Sequence, residues 1–233
     1  MSGLKVALFK IGRVALIAYA GLFILLYFIQ DTLIFHPQPL WEGARAALEK
    51  IPGTAELTVT AEDGTQLHGW LRHPLGERSK GLVLYFGGNA EEVSGFVQDA
   101  PQQLPGWSVA SFNYRGYGKS AGKPSETALT ADARTIFDYL SARPEIDPNR
   151  IVAFGRSLGS GVATQLAHAR AVLGVVLVSP FDSLTAIARR EYPIIPVSVL
   201  LRHPFDSIAL APRIDRPLIV LAESMTTGEP NVA

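Results

Sequence analysis

The chain has 233 residues, of which 48% are hydrophobic, so it is long enough for one sizeable α/β domain and a short additional segment. Basic and acidic residues number 21 each, and no basic cluster with interspersed aromatic residues favours nucleic-acid binding. The absence of cysteine excludes disulfides, thiolate metal sites and a cysteine nucleophile. The sequence contains no paired-histidine spacing typical of metal sites, and it indicates no cofactor.

An apolar run near the N-terminus predicts a transmembrane anchor. Residues 11–29 give about nineteen residues, enough for one tilted crossing of a bilayer, if the side chain of Arg13 snorkels. Lys5, Lys10 and Arg13 precede the uncharged part and Asp31 is the first charge after it. The positive-inside rule therefore predicts a cytoplasmic N-terminus, residues 1–10, and an extracytoplasmic remainder.

Two alternatives exist for this run. A signal peptide could be cleaved at Ala18-Tyr19-Ala20, but the apolar run continues for about two more helical turns, which favours an uncleaved anchor. A buried core helix is less compatible with such a long and uniformly apolar segment. The bilayer is therefore an expected partner.

Residues 30–54 are predicted to connect the anchor to a single domain that covers residues 55–233. The connection contains a short helical pattern at Ala44–Lys50, and we expect His36 to be an interfacial or packing residue. Two alternating segments, Glu56–Thr60 and Gln66–Leu71, flank a turn and predict a β-hairpin.

Gly81–Asn89 reads as a buried strand that ends in a glycine-rich turn. In an acyl-transfer enzyme, the backbone of residues 87–90 could supply one N–H group of an oxyanion hole. The alternative is a tight strand-to-helix turn in which the glycines serve geometry alone.

The next elements are a strand at Trp107–Asn113 and a helix at Ser125–Leu140. Alternation of strands and helices predicts an α/β fold with a doubly wound, mostly parallel sheet. Between them, Gly118–Gly122 matches the pattern Gly-x-Ser-x-Gly. Lys123-Pro124 follows it and favours a loop, so we expect Ser120 to be a solvated loop serine.

A second copy of that pattern, Gly155–Gly159, stands between a β-branched strand and a helical segment of small residues. This order is typical of a nucleophile elbow, in which a strained turn lifts the serine above the end of the strand. Gly155 and Gly159 relieve crowding around that turn. Ser157 is therefore the candidate nucleophile.

The C-terminal part contains a strand at Ala171–Val178 and a last strand at residues 217–222. Residues 184–212 between them are irregular and lie where a cap over the active site is expected. Their apolar run, residues 194–201, is interpreted as cap or core packing in preference to an acyl-chain groove.

Five motifs occur in order behind the anchor, namely GGNAEE, NYRGYGKSAGKPSE, GRSLGSG, SPFDS and RHPFDS. Together they resemble the α/β-hydrolase superfamily, and more narrowly the single-pass membrane serine hydrolases related to α/β-hydrolase domain-containing protein 13 and the depalmitoylating enzymes. The resemblance covers roughly residues 20–222. It implies an esterase or thioesterase with Ser157 as nucleophile and the N–H groups of Asn89 and Leu158 as oxyanion hole. Many relatives have His-Gly-Asn where this chain has Gly87-Gly88-Asn89.

The resemblance also implies a triad acid and a histidine in loops after the strand at 217–222. Met225 or its neighbour stands where the acid is expected, and no histidine follows His203. Asp182 serves as the acid in some variants of this fold, but an acid without a base does not activate serine, and the same objection applies to Glu223.

Of the histidines present, His168 is predicted to lie about 16 Å down the elbow helix from Ser157. His68 and His73 belong to the hairpin, which in this fold lies at the far edge of the sheet. His203 is the one geometric possibility, although the resemblance makes it a packing or loop residue. We therefore identify no triad acid and no triad base in the sequence.

The first hypothesis is a membrane-anchored serine hydrolase of acyl esters or thioesters, represented by a chain that lacks its C-terminal end and is inactive or impaired. The second is a non-catalytic binding or scaffold protein with the same fold. A peptidase of this fold is not distinguishable from an esterase by sequence.

Overall fold

The computed structural model describes residues 2–76 and 78–221. Its strands are β1 Thr54–Thr60, β2 Gln66–Arg72, β3 Leu82–Phe86, β4 Ser108–Phe112, β5 Ile151–Arg156, β6 Gly174–Val178 and β7 Leu218–Leu221. Its α-helices are α1 Ser2–Ile34, α2 Ala44–Glu49, α3 Ser94–Gln103, α4 Glu126–Ser141, α5 Leu158–Ala169, α6 Leu184–Glu191, α7 Val197–Leu200 and α8 Ser207–Leu210. Two short 3₁₀ helices cover Pro148–Arg150 and Ala211–Arg213.

The described strands form one sheet in the order β1-β2-β4-β3-β5-β6-β7. The hairpin β1-β2 is antiparallel and β2 joins β4 antiparallel, whereas β4, β3, β5, β6 and β7 run parallel. The predicted hairpin and the predicted mostly parallel α/β sheet are thereby confirmed. The hairpin lies at one edge, as expected.

Helices cover both faces of the sheet, because the parallel strands are apolar on both sides. On one face, Leu129 and Ile136 of α4 and Val162 of α5 pack in a large cluster with β3. On the other face, Leu48 of α2 and Val97 of α3 pack against the opposite side of the same sheet. The architecture is therefore doubly wound.

Several helix and strand ends follow from the local sequence. Helix α4 begins one residue later than predicted, because Ser125 is its N-cap and accepts a hydrogen bond from the N–H of Ala128 at 3.2 Å. Ser183 caps α6 in the same way through the N–H of Ala186. Strand β6 begins at Gly174, three residues after the start that the apolar run had predicted.

Helix α1 is longer than the predicted anchor and meets the requirements of a membrane span by its length and composition over Gly3–Ile34, with a mean hydropathy of 2.0 in its most apolar 18-residue window. Its first half contacts no other element closely, and most of its apolar side chains are exposed. Its C-terminal half lies against α6, α7 and the residues between them, where Gln30 is buried. The predicted boundary between anchor and connection, at residues 29 and 30, falls inside this helix, because α1 continues to Ile34.

Candidate active site

The strand-to-helix turn at residue 157 has the geometry of a nucleophile elbow. Ser157 lies between β5 and α5 with φ 50° and ψ −118°, a backbone conformation that side-chain-bearing residues rarely adopt. The N–H of Ser157 donates to the carbonyl oxygen of Val178 at 2.9 Å, which ties the turn to the end of β6. The side chain of Ser157 is exposed at the carboxyl end of the parallel strands.

The two glycines of the elbow are required by close backbone contacts. A Cβ atom on Gly155 would lie 2.2 Å from the carbonyl oxygen of Gly159. A Cβ atom on Gly159 would lie 2.1 Å from the carbonyl oxygen of Phe86 and 2.6 Å from that of Gly87. The elbow therefore packs directly against the backbone of the turn after β3.

Strand register places the two proposed oxyanion-hole segments side by side. In the parallel pair β3-β5, Phe86 is the partner of Gly155, so residues 87–89 follow one strand where residues 156–158 follow the other. Asn89 and Leu158 line the same pocket as Ser157. The sequence-based expectation that these three residues share a site agrees with this arrangement, in which Leu158 also begins α5.

A carboxylate that the sequence analysis did not single out holds the turn after β3. Glu91 Oε2 accepts from the N–H of Gly88 at 2.6 Å and from Arg156 Nη2 at 2.7 Å, and Glu91 Oε1 accepts from the hydroxyl of Tyr85 at 2.9 Å. Burial raises the pKa of Tyr85, and the negative charge of Glu91 raises it further, so the phenol remains a neutral donor. Glu91 thereby links the turn to Arg156, the residue before Ser157.

The side chain of Asn89 is fully engaged with the end of α1 and the segment after it. Its Oδ1 accepts from Tyr117 Oη at 2.8 Å and from the N–H of His36 at 3.0 Å, and its Nδ2 donates to the carbonyl oxygen of Ile34 at 2.5 Å. Burial raises the pKa of Tyr117 to about 12, so this hydroxyl also stays protonated. Any role of Asn89 in an oxyanion hole therefore falls to its backbone N–H.

Ser157 opens into an apolar cavity of about 460 Å³, a size typical of ligand pockets. Three groups of residues form its walls, namely the C-terminal turns of α1, helix α6 and the segment 192–201. The apolar run at 194–201 was interpreted as packing, but in the structure some of its side chains line the cavity and others are exposed. Ile195 and Leu200 line the cavity, whereas Ile194 and Val199 are 79% and 87% exposed.

The contribution of α1 to this cavity was missed at the level of sequence. Leu26, Gln30, Leu33 and Ile34 of the predicted anchor line the cavity that contains Ser157. The signal that could have revealed it is Gln30, an amide at the end of an otherwise apolar run that needs buried hydrogen-bond partners.

All five histidines of the chain are among the described residues, and none of them lines the cavity. His203 is buried, with Nδ1 accepting from the N–H of Glu126 at 3.3 Å and Nε2 lying 2.9 Å from Asp31 Oδ1. It is therefore a packing residue that joins α1 to α4, as the resemblance implied. His168 is exposed in the last turn of α5.

The two hairpin histidines are engaged elsewhere as well. His68 is buried and its Nε2 lies 2.7 Å from Glu56 Oε1. Desolvation lowers the pKa of His73, whose Nδ1 lies 2.9 Å from the hydroxyl of Ser108. His36, in contrast, contacts the site indirectly, with Nδ1 3.1 Å from Asn89 Nδ2. Met225 and Glu223, which were considered for the acid position, lie outside the described residues.

The second Gly-x-Ser-x-Gly copy is structural, but the expectation of a solvated serine was wrong. Ser120 is buried; its hydroxyl donates to the carbonyl oxygen of Asn113 at 2.8 Å and accepts from the N–H of His68 at 2.9 Å. The loop folds back on β2, and these two backbone groups need a partner in the interior.

Comparison with known proteins identifies the family to which this fold and this turn belong. The family model Hydrolase_4, described as serine aminopeptidase S33, matches residues 77–213. An uncharacterised protein of Mycobacterium tuberculosis is 37% identical over 196 residues, which are 84% of this chain and 69% of that protein. The α/β-hydrolase domain-containing protein WAV2 of Arabidopsis thaliana is 32% identical over 182 residues, which are 74% of this chain and 58% of that protein.

Solved structures share the fold. An α/β hydrolase from Vibrio vulnificus superposes with a TM-score of 0.64 at 25% identity, covering 80% of this chain and 71% of that one. An esterase from Pyrococcus furiosus superposes with a TM-score of 0.60 at 21% identity, covering 80% of this chain and 76% of that one. At that identity, the esterase is informative about the fold alone.

Proposed function

The chain belongs to the serine aminopeptidase S33 (Hydrolase_4) family of α/β-hydrolases, and from this premise we propose that it is a membrane-anchored serine hydrolase that cleaves acyl esters or thioesters at Ser157. The observation that carries the proposal is that Ser157, Asn89 and Leu158 line one apolar cavity, with the serine on a strained elbow.

The proposed chemistry is acyl transfer through the serine hydroxyl. Ser157 Oγ attacks the carbonyl carbon of the substrate, and the N–H groups of Asn89 and Leu158 stabilise the negative charge on the carbonyl oxygen. The alcohol or thiol leaves with a proton, and water then cleaves the acyl-enzyme to regenerate the serine. The positive end of α5 lies beside the developing charge and lowers its energy further.

Proton transfer is the weak step in this 233-residue chain. Serine attack needs a base, and no described histidine lines the cavity with Ser157. Loss of triad members typically lowers kcat by a factor on the order of 10⁶. We therefore propose that these 233 residues are acylated slowly at Ser157, although they include the cavity and the proposed oxyanion hole.

The apolar walls favour an acyl substrate, and they support the narrower likeness to the depalmitoylase-like group. Helix α1 supports anchoring, with the hydrolase domain proposed on the extracytoplasmic side because Lys5, Lys10 and Arg13 precede the uncharged run.

A peptidase is the second candidate, since the family description names a serine aminopeptidase. An aminopeptidase needs a carboxylate for the substrate ammonium group, and Glu191 is the acidic residue in the cavity lining. Cleavage of an aminoacyl p-nitroanilide in preference to a p-nitrophenyl acyl ester, with loss of this preference in Glu191→Gln, would favour the peptidase.

The proposal is tested by prolonged incubation of the full chain in detergent with excess fluorophosphonate, followed by mass spectrometry of the modified peptide. We expect the adduct on Ser157, its loss in Ser157→Ala, and its retention in Ser120→Ala, which alters the other Gly-x-Ser-x-Gly copy. A folded chain that acquires no adduct on Ser157 would support the binding or scaffold protein instead.

A further inference from the structure

Tyr19 and Gln30, two polar residues in the apolar part of α1, contact the cap segment, which we define as residues 192–202. Tyr19 Oη donates to the carbonyl oxygen of Ile194 at 2.8 Å. Gln30 Nε2 lies 3.3 Å from the carbonyl oxygen of Leu200, and Gln30 Oε1 accepts from the N–H of Arg202 at 2.7 Å. These hydrogen bonds occupy backbone groups of the cap segment.

Two further residues of α1, Tyr27 and Asp31, contact the same segment through Arg202. The guanidinium of Arg202 lies 5.2 Å from the centre of the Tyr27 ring, and Arg202 Nη2 pairs with Asp31 at 2.6 Å. In hydrocarbon an unpaired backbone carbonyl or N–H group costs several kcal/mol, whereas in water it costs little. Side chains of an apolar helix that pair with backbone groups of the cap segment remove this cost. This arrangement therefore suits a cap segment that lies in lipid.

The positions of these contacts along α1 indicate how deeply the cap segment would reach into the bilayer. From Asp31 back to Tyr19 the helix rises about 18 Å, which is more than half of the roughly 30 Å hydrocarbon core of a bilayer. The cap segment runs beside α1 over this distance. Three large side chains of this segment are exposed, namely Val199 at 87%, Ile194 at 79% and Tyr192 at 58%, whereas its exposed polar residues are Ser198 and, at the end of the segment, Arg202.

The cavity of Ser157 lies between these two elements. Leu26 and Leu33 of α1 form one wall, and Ile195 and Leu200 of the cap segment form the opposite wall. An acyl chain in the surrounding leaflet would thus meet the cavity without crossing water.

We propose that the cap segment is embedded in the leaflet beside α1, and that the cavity between them is a lateral port through which the acyl chain of a membrane-resident ester or thioester reaches Ser157. This inference rests on the proposed anchor and nucleophile, and it adds the source of the substrate and the walls that select it.

The depth of the cap segment can be measured without catalysis, because the chain has no cysteine and a single introduced one is labelled uniquely. Val199→Cys and Leu75→Cys, the latter 60% exposed between β2 and β3, are each given a nitroxide in full-length protein reconstituted in phosphatidylcholine vesicles. The Val199 label is expected to be more accessible to oxygen than to a water-soluble nickel chelate, and the Leu75 label to show the reverse. Equal access of the chelate to both labels would overturn the embedded cap.

The port is tested with two fluorophosphonates in the same vesicles, one carrying a hexadecyl chain and one an ethyl group. Leu26→Trp fills the cavity from α1, and Leu25→Trp is its control because Leu25 is 54% exposed and does not line the cavity. Leu26→Trp should slow modification of Ser157 by the hexadecyl probe at least tenfold and change the ethyl probe less than twofold, with neither rate altered in Leu25→Trp.

An unchanged hexadecyl rate in Leu26→Trp would refute the port. If neither probe modifies Ser157 in the unsubstituted chain, the proposed nucleophile fails, while the nitroxide measurement still decides whether the cap segment lies in the leaflet.

Discussion

The side-chain amide of Asn89 donates to the carbonyl oxygen of Ile34 at 2.5 Å, so the turn that carries the proposed oxyanion-hole N–H is bonded to the end of α1. The carbonyl groups of the last helical turn have no partner within the helix, and Asn89 donates a hydrogen bond to one of them. The position of α1 and the geometry of the turn after β3 are therefore coupled through one side chain.

Asn89→Asp tests this coupling, because aspartate keeps the acceptor oxygen and loses the donor. We expect the free energy of unfolding in urea to fall by about 1–2 kcal/mol, since the Ile34 carbonyl loses its partner. Hydrogen exchange at residues 31–36 should accelerate. Gln38→Glu is the control, because Gln38 is a half-buried amide in the same connection whose Nε2 lies 3.3 Å from the carbonyl oxygen of His36, and it should change stability by less than Asn89→Asp does. Equal effects of the two substitutions would show that the coupling is absent.

Backbone strain at Ser157 predicts that a glycine at this position gives a more stable fold than an alanine. Ser157→Gly and Ser157→Ala both remove the hydroxyl, but only glycine adopts φ 50° and ψ −118° without strain. After the entropy cost of glycine, the Gly variant should be about 1 kcal/mol more stable than the Ala variant by thermal or urea unfolding. An Ala variant of equal or higher stability would mean that the turn is unstrained.

The elbow glycines offer a matched pair of substitutions. Gly159→Ala brings a Cβ atom within 2.1 Å of the Phe86 carbonyl oxygen, a backbone atom of a central strand, so we expect a loss of about 3 kcal/mol or more. Gly95→Ala, in α3, meets nothing within 4 Å and should leave stability unchanged or raise it by up to about 1 kcal/mol. Comparable melting temperatures for the two variants would contradict the close packing of elbow and turn.

Acid stability depends on the Arg115 cluster, which ties the hairpin turn to α4. Arg115 donates to both carboxylate oxygens of Asp63, with Nη2 3.2 Å from Oδ1, and Nη1 also donates to Thr65 Oγ1 at 3.1 Å. Its Nε and Nη2 atoms donate to Asp132. The hydrogen bond from Arg115 lowers the pKa of Asp63 well below its ordinary value, with a further contribution from Thr65. A depressed carboxyl pKa contributes stability above the unfolded-state pKa of about 4, and this contribution is lost as the pH falls through the folded-state value.

Asp63→Asn should therefore unfold at lower urea concentration than the unsubstituted chain above about pH 5, and the difference should shrink as the pH falls below about 4. Glu62→Gln, the neighbouring carboxyl in the same turn, is the control. A difference between the unsubstituted chain and Asp63→Asn that is constant from pH 7 down to pH 3 would exclude this linkage.

The rate of fluorophosphonate modification should report the absence of a histidine base in the cavity. Without such a base, attack depends on the ionised serine, so the rate should rise about tenfold per pH unit from pH 6 to pH 9. A histidine base would instead produce a plateau above its pKa, near 6.5 for an unperturbed imidazole. A plateau that disappears in His203→Gln would show that His203 acts as the base and is more than a packing residue.

The sequence predicted the parts of the fold that depend on local pattern. Periodicity identified the hairpin and α4, and the flanks of the two Gly-x-Ser-x-Gly copies separated Ser157 from Ser120. Local pattern could not show that Ser120 is buried, because its partners at Asn113 and His68 belong to a loop and a strand brought together by tertiary folding.

The apolar pattern of α1 alone could not show its role in the cavity, for the same physical reason. Hydrophobic length indicates that a helix can span a bilayer, but it carries no information on which face of the helix meets the cap. Glu91 was also missed, since an acidic residue after a glycine-rich turn is usually solvated. Only the folded arrangement shows that it accepts from both Gly88 and Arg156.

The hydrogen bond between Tyr19 and Ile194 joins residues 175 positions apart, which has a consequence for biogenesis. At translation rates of about 5–20 residues per second, α1 leaves the ribosome about 10–35 seconds before the segment that it pairs with. During that interval Tyr19 and Gln30 are without the cap backbone that later occupies them. The nascent helix therefore waits with one face uncovered, and the cavity beside Ser157 cannot form until residues 192–202 have been synthesised.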